Sequence, residues 1–403
     1  MQPAKPQTSA LFDPYGLLVL REKRFRFAVA YAVDQVFAIC QQLKTPGLQL
    51  EVRDRLFLSA ICALNRVRNI PMSDIQQSQV NYALALLYAL DGDCTEALER
   101  LTRVFEVSQH DRLAKSEVLR FMGEQHHRGG KLRRAYDAYL HSFYALQHLD
   151  DALRRATRQA NAYADARHEL DVLIRLCNIE LELAEYSRLD DHLKLSHRLL
   201  DVVCDDVKSF KARLAWVEAQ RLRSLGKIDA AYESAFRAIA AQNAAPTAAS
   251  GRTYVIVIDI ILDRITNQTQ SISRKYELLH ETDELASRAR IFFEDHSDAI
   301  GHNLLEQAVC RADRIERLMA GQPANLKIIQ RVLRSAEKLD DAALIGRAYT
   351  VFGAELEMAG DREHAVRSYQ LADDRLQSND FQSLSAWPRD ALSRMAKSNT
   401  ILE

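Results

Sequence analysis

The sequence predicts an all-α protein built from stacked helical hairpins. Three observations carry that prediction. Glycine and proline are scarce, 13 and 8 in 403 residues, about 5% where roughly 12% is usual, so few sharp turns are available. Apolar residues recur at spacings of three and four over long stretches, the period of one helix face. One pattern of large and small residues around a turn position returns in register along most of the chain. Such a hairpin cannot bury its own face and must stack on its neighbours.

The elements follow in order. Residues 1–16 hold Pro3, Pro6 and Pro14 among polar neighbours and read as a flexible N-terminus. Residues 17–75 read as a helical segment. Its first helix runs from Gly16 to about Lys44, places Val29, Val33, Val36, Phe37 and Cys40 on one face, and stops at Thr45-Pro46-Gly47. Its second runs from about Leu50 to Asn69 before Pro71, with Leu56, Leu58, Ala60, Ile61, Leu64 and Val67 as the buried side.

From residue 76 the repeat takes over. Leu84-Ala85, Tyr88, Gly92-Asp93, Ala97 and Leu101 are matched by Met122-Gly123, His126, Gly130-Lys131, Ala135 and Tyr139. The register returns at Ala219, Leu222, Gly226-Lys227, Ala231 and Ala235, and again at Phe352-Gly353, Leu356, Gly360-Asp361, Ala365 and Tyr369. A worn copy centres on Ala184. A small residue on each helix lets the two axes approach, and a glycine or small residue at the turn allows a left-handed backbone. The turn positions 92, 130, 184, 226 and 360 are separated by 38, 54, 42 and 134 residues. The last interval fits three units of about 45. Asn243–Gly251 reads as a loop or hinge. Tyr254–Leu262 is rich in β-branched residues but reads as buried helix in preference to strand. Helices follow over 273–297, 299–320, 325–340 and 342–359, and Trp387-Pro388 reads as a break before a short last helix.

These residues resemble the tetratricopeptide repeat (TPR), with its large residue, Leu-Gly/Ala, Tyr, then Ala, Phe/Tyr and Ala at fixed offsets. The intervals exceed that family's usual 34 residues or so. In this they resemble bacterial regulatory TPR proteins, namely Rap-type peptide-responsive regulators and TPR sensor modules that precede diguanylate cyclase or DNA-binding domains. The resemblance implies a right-handed α-solenoid of TPR-like hairpins with a short N-terminal helical bundle. Residues 76–245 would form the first repeats, and 246–403 continued repeats with a C-terminal capping helix.

The resemblance also implies a non-enzymatic regulator or adaptor that binds a protein or peptide in a concave groove lined by the first helix of each repeat. Counting back from the turns places Arg120, Glu124, Asn178, Arg213, Trp216, Gln220, Arg223 and Arg347 there. Asn178 offers the donor and acceptor that suit a peptide bond. The arginines suit a carboxylate, and Trp216 suits an anchor. A homodimer is also allowed. The alternative is a constitutive assembly scaffold, or the sensor module of a signalling or transcription regulator with weak nucleic-acid contact.

Composition narrows the choice. Lys and Arg number 54 against 55 Asp and Glu, a net charge of −1. That excludes the basic excess a general nucleic-acid or membrane coat needs, and neither is an expected partner. Arg21, Lys23, Arg24 and Arg26 alternate with Phe25 and Phe27 and read as a solvated helix start with two core aromatics, in preference to a nucleic-acid contact. Arg154, Arg155 and Arg158 among aspartates read as a charged outer face. The six cysteines show no CxxC or Cys/His ligand spacing, so no metal or other cofactor is expected. His126 and His127 point about 100° apart on a helix and do not share a metal. No apolar run reaches the ~20 residues of a membrane span. These features fit a cytoplasmic protein with reduced cysteines.

Overall fold

The computed structural model describes residues 24–43, 48–67, 70, 72–147, 161–201, 203, 207–243, 250–295 and 298–400. The flexible N-terminus, the Thr45-Pro46-Gly47 stop, the basic side chains before residue 28, Arg154–Arg158 and the loop at 244–249 lie outside them. Every regular element among the described residues is helical, and no strand occurs.

The helices are α1 (Arg24–Leu43), α2 (Leu50–Val67), α3 (Asp74–Asp91), α4 (Cys94–Val107), α5 (Arg112–Arg128) and α6 (Leu132–Gln147). They continue as α7 (Asn161–Glu182), α8 (Tyr186–Leu200), α9 (Val207–Ser224), α10 (Ile228–Asn243), α11 (Ser250–Asn267) and α12 (Ile272–Asp295). The last five are α13 (Ala299–Met319), α14 (Leu326–Leu339), α15 (Ala342–Met358), α16 (Arg362–Gln377) and α17 (Gln382–Thr400). Consecutive helices pack as hairpins, the architecture of a TPR-like array. Tyr254–Leu262 is helical and buried within α11. The packing divides into two compact units, Met1–Asp165 and Ala166–Glu403.

The turns explain the register. Gly92, Gly130, Gly226 and Gly360 all have φ between 68° and 91°, and Ala184, in the worn copy, has φ 58°. At each one the following residue's N–H reaches back over the helix end, as Asp93 does to the Tyr88 carbonyl (2.9 Å) and Asp361 to Leu356 (3.0 Å). This is the left-handed helix stop, which satisfies an orphan carbonyl. The next residue then starts the partner helix. Asp93 Oδ1 accepts from the N–H groups of Thr95 (3.1 Å) and Glu96 (3.0 Å), an N-cap that contributes about 1 kcal/mol. A Gly-Asp pair thus closes one helix and opens its antiparallel neighbour. Gly321 and Asp340 repeat the left-handed stop after α13 and α14, inside the long interval that the sequence left to three units.

In unit 1, α1 to α5 share one apolar core. A ladder of edge-on rings crosses it, Phe37 to Tyr82 (centroids 6.5 Å) and Tyr82 to Phe121 (5.8 Å). The apolar α3 positions Tyr82, Leu86 and Ala89 are therefore buried with α1 and α2. Leu58, expected on the buried side of α2, is 61% exposed. It lies two residues from Leu56 and from Ala60, about 200° around the helix, so the true inner face is Ala60, Ala63, Leu64 and Val67.

In unit 2 the expected break at Trp387-Pro388 is absent. α17 runs through it with Pro388 inside. Pro388 removes one backbone bond, to the Leu384 carbonyl. Packing on both sides holds the helix: Trp387 lies against Val332 and Val351, and Ala391 and Met395 join Leu356 and Tyr369.

Helices α8 and α9 are joined by His197 Nε2 and Glu218 Oε1, 2.6 Å apart. The Glu218 bond, against opposing burial, raises the His197 pKa above 6.5, and the His197 bond lowers that of Glu218 below 4.5. The histidine's contribution is present below pH 6.5 and is lost as pH rises through its raised folded value. The glutamate's is present above pH 4.5 and is lost as pH falls. The side chains are 48% and 26% exposed, so solvent screening limits the pair to about 0.2–1 kcal/mol. Urea midpoints of the wild type should therefore decline as pH rises above 6.5, by an amount that His197→Gln removes. Parallel pH curves for the two proteins would refute this assignment.

Candidate functional site

The sequence-predicted residues all lie on the first helices of hairpins, and most are already engaged. In unit 1 Arg120 donates through Nε to Glu117 Oε2 (2.8 Å), and its Nη1 stands 3.6 Å from Glu124. Arg128 donates to Glu124 Oε1 (2.9 Å) and to the Ala89 carbonyl (3.1 Å). Glu117 also accepts from the Tyr82 hydroxyl (3.3 Å). The spacing of three and four residues along α5 makes these pairs neighbours. The result is a mixed-charge strip, with Arg120 16% and Glu124 24% exposed.

In unit 2 Arg213 on α9 donates to Asp171 on α7 (2.5 Å), whose other oxygen accepts from Arg175 (2.9 Å). One turn on, Trp216 is half-buried against the core of α7 to α9. Asn178 and Gln220 follow at the same offset, six residues before the left-handed turns at Ala184 and Gly226. They differ from the arginines. Asn178 Oδ1 and Gln220 Oε1 are buried acceptors without a hydrogen-bond partner among the described residues. A buried acceptor left unmade costs about 1–3 kcal/mol; Asn81, Gln125, Gln270 and Gln307 also have unpartnered amide oxygens, but Asn178 and Gln220 share one register position.

Arg223 and Arg347 lead to a cluster that the sequence did not reveal. Asp259 on α11 is 1% exposed and accepts from Arg311 and, at 2.8 Å, from Arg347, with Arg223 at 3.7 Å. Asp263, one turn on, accepts from Arg223 (2.5 Å) and Arg311 (2.9 Å). The Arg311 guanidinium also lies 4.6 Å from the Trp387 ring, a cation–π contact. Burial pushes the Asp259 pKa up, but the three guanidiniums outweigh it and hold the carboxyl far below its usual range. The signal was legible in kind: Asp259 interrupts an apolar run, and a buried charge must be paired. Its partners lie 36 to 88 residues away, beyond any local pattern.

Two further side chains of α15 are also engaged. The Thr350 hydroxyl donates to its own helix at Gly346 (2.8 Å). Glu357 accepts from Tyr369 (3.1 Å) and Arg394 (2.9 Å). His126 is half-buried, and burial, with Arg134 and Lys131, lowers its pKa. Among the described residues no three His, Cys, Asp or Glu side chains are grouped to hold a metal ion, and no helix is long and apolar enough to cross a membrane.

No protein-family profile and no curated protein matches the sequence. Solved structures do match. The apo quorum sensor NprR from B. thuringiensis aligns over 88% of this chain and 89% of its own, with TM-score 0.56 and 12% identity. Aspartyl phosphate phosphatase F from Bacillus subtilis aligns over 90% and 97%, with TM-score 0.56 and 12% identity. A Rap protein complexed with competence and sporulation factor aligns over 93% and 99%, with TM-score 0.50 and 11% identity. At these identities the likeness is one of fold: the chain has the helical-repeat architecture of the Rap- and NprR-type proteins.

Proposed function

We propose that this chain is a non-enzymatic regulatory protein that binds a peptide or protein segment along the first helices of its unit 2 hairpins. The observation that carries the reading is the pair of unpartnered amide oxygens, Asn178 Oδ1 and Gln220 Oε1, at one repeat offset. Each side chain also has two amide N–H donors, the complement of a peptide group. Half-buried Trp216, one helical turn before Gln220 on α9, supplies apolar contact, and Arg213 and Arg223, held by Asp171 and Asp263, supply fixed positive charge. The arginines serve as framework as much as contact. The fold supports the same reading, since one matched Rap protein is complexed with competence and sporulation factor.

The test is to expose the immobilised protein to the peptide fraction of native-cell extract and identify what is retained. The variant Asn178→Leu/Gln220→Leu leaves the ion pairs intact. It should lose retained peptides by tenfold or more, the scale of two lost hydrogen bonds of about 1 kcal/mol each, while its circular dichroism spectrum stays unchanged. Equal retention by a folded variant would sink the assignment.

A further inference from the structure

Helix α13 carries three arginines at spacings of three, Arg311, Arg314 and Arg317, and they have different fates. Arg311 is tied to Asp259 and Asp263. Arg317 donates to Asp313 (2.7 Å), to Glu355 (3.3 Å) and to the Pro323 carbonyl (3.0 Å). The Nε atoms of all three are buried without a partner, but Arg314, half-buried between the other two, is the one of the three whose guanidinium makes no ion pair among the described residues. The carboxylates around it are taken. Glu355 holds Arg317 and the Asn325 N–H (3.2 Å), and Glu357 holds Arg394 and the Tyr369 hydroxyl. One cation is therefore left over in a partly desolvated setting. Burial first, then the neighbouring Arg311, lowers the Arg314 pKa against the opposing charges of Tyr369, Glu355 and Glu357, although an arginine there still carries its charge at neutral pH. Long flexible arginines on a surface find carboxylates or water. One held half-buried with no carboxylate hydrogen-bonded to it is incomplete in the way a receptor for an anion is incomplete.

We propose that Arg314 is the seat of a carboxylate-binding site, flanked by the fixed guanidiniums of Arg311 and Arg317, that receives an acidic group of the bound peptide. The planar guanidinium takes a carboxylate through two parallel N–H bonds, which Glu355 and Glu357, within electrostatic reach but bonded to other donors, do not give it. The inference rests on the peptide-binding reading for its ligand but not for its chemistry, which a small carboxylate tests alone. The carboxylate can be a chain terminus or an Asp or Glu side chain.

The first measurement is phenylglyoxal labelling of the full chain, read by peptide mass spectrometry. Arg314 should label several-fold faster than Arg311 and Arg317. N-acetylglycine at tens of millimolar should protect it, whereas N-acetylglycinamide, which lacks the carboxylate, should not. Labelling of Arg314 no faster than its neighbours, or equal protection by both probes, would overturn the proposal whatever peptides do. The second measurement uses three random hexapeptide pools: free C-terminus without Asp or Glu, amidated C-terminus with one Glu, and amidated without Asp or Glu. Wild type should retain one of the first two pools at least tenfold over the third, and Arg314→Met should abolish that preference while keeping its melting temperature. Retention of all three pools alike, lost in Asn178→Leu/Gln220→Leu, would leave the peptide reading standing and remove the carboxylate site. If no pool is retained while N-acetylglycine still protects Arg314, the site stands and the peptide reading falls.

Discussion

Asp259→Ala is expected to cost unit 2 about 3–5 kcal/mol, the range for removing one partner of a buried ion pair, or roughly 6–20 °C in Tm for a unit of this size. The wild-type carboxylate is 1% exposed and meets Arg311, Arg347 and Arg223. Its loss leaves Arg347 without that acceptor and Arg311 and Arg223 with Asp263 alone. Asp263→Asn should cost less, because Asp263 is 18% exposed and its amide still accepts from one guanidinium. Urea unfolding followed by circular dichroism orders the two. If Asp259→Ala costs under about 1 kcal/mol, the cluster contributes like a surface pair and its burial has been misjudged.

A second large effect is expected where helix axes touch. A Cβ at Gly353 would lie 2.8 Å from Tyr369 Cε1, and one at Gly123 would lie 2.7 Å from Tyr139 Cε1. The two pairs are repeat equivalents, and each glycine lets a tyrosine ring lie flat on the facing helix. Both rings are 1% exposed, so neither has room to swing away. Gly353→Leu should cost about 1–3 kcal/mol through overpacking, after a gain of up to about 1 kcal/mol in helix propensity. Tyr369→Ala alone should cost about 3–5 kcal/mol, as for other large buried aromatics. The double variant should fall short of the sum by about 0.5–3 kcal/mol, because the leucine occupies the space that the ring vacates. Strict additivity in the thermal melts would show that the two residues are not in contact.

The sequence specified the hairpins because their determinants are local. Gly92-Asp93 sets a left-handed stop and an N-cap within two residues, and Ala97 or Ala365 marks the close approach by its size alone. The α11 run reads as helix because the chain around it is a helical array, a context that outweighs its β-branched residues. Leu58 misled because a leucine next to a buried face looks like part of it. Pro388 misled because packing of Trp387 and Met395 outweighs one missing backbone bond. At the candidate site the repeat offset located Asn178, Gln220, Arg213 and Arg223 on the first helices. It did not say which were already occupied. That depends on Asp171 and Asp263, 42 and 40 residues away, as the lack of an ion pair at Arg314 appears only when the carboxylates around it, Glu355 and Glu357, have been assigned.

The ion cluster around Asp259 also bears on how unit 2 comes apart. In an array where each hairpin touches only its neighbours, stability is close to a sum of local terms, and unfolding can begin at any seam. Asp259 breaks that rule. Arg223, Arg311 and Arg347 reach it from α9, α13 and α15, the last from 88 residues along the chain. Opening any one of these hairpins exposes a charge that another hairpin was neutralising, so the penalty is shared across the group. The middle of unit 2 is therefore expected to open as one block, with amide protons from α9 to α15 exchanging together. An event that shifts one of these first helices is felt at the others through a shared carboxylate.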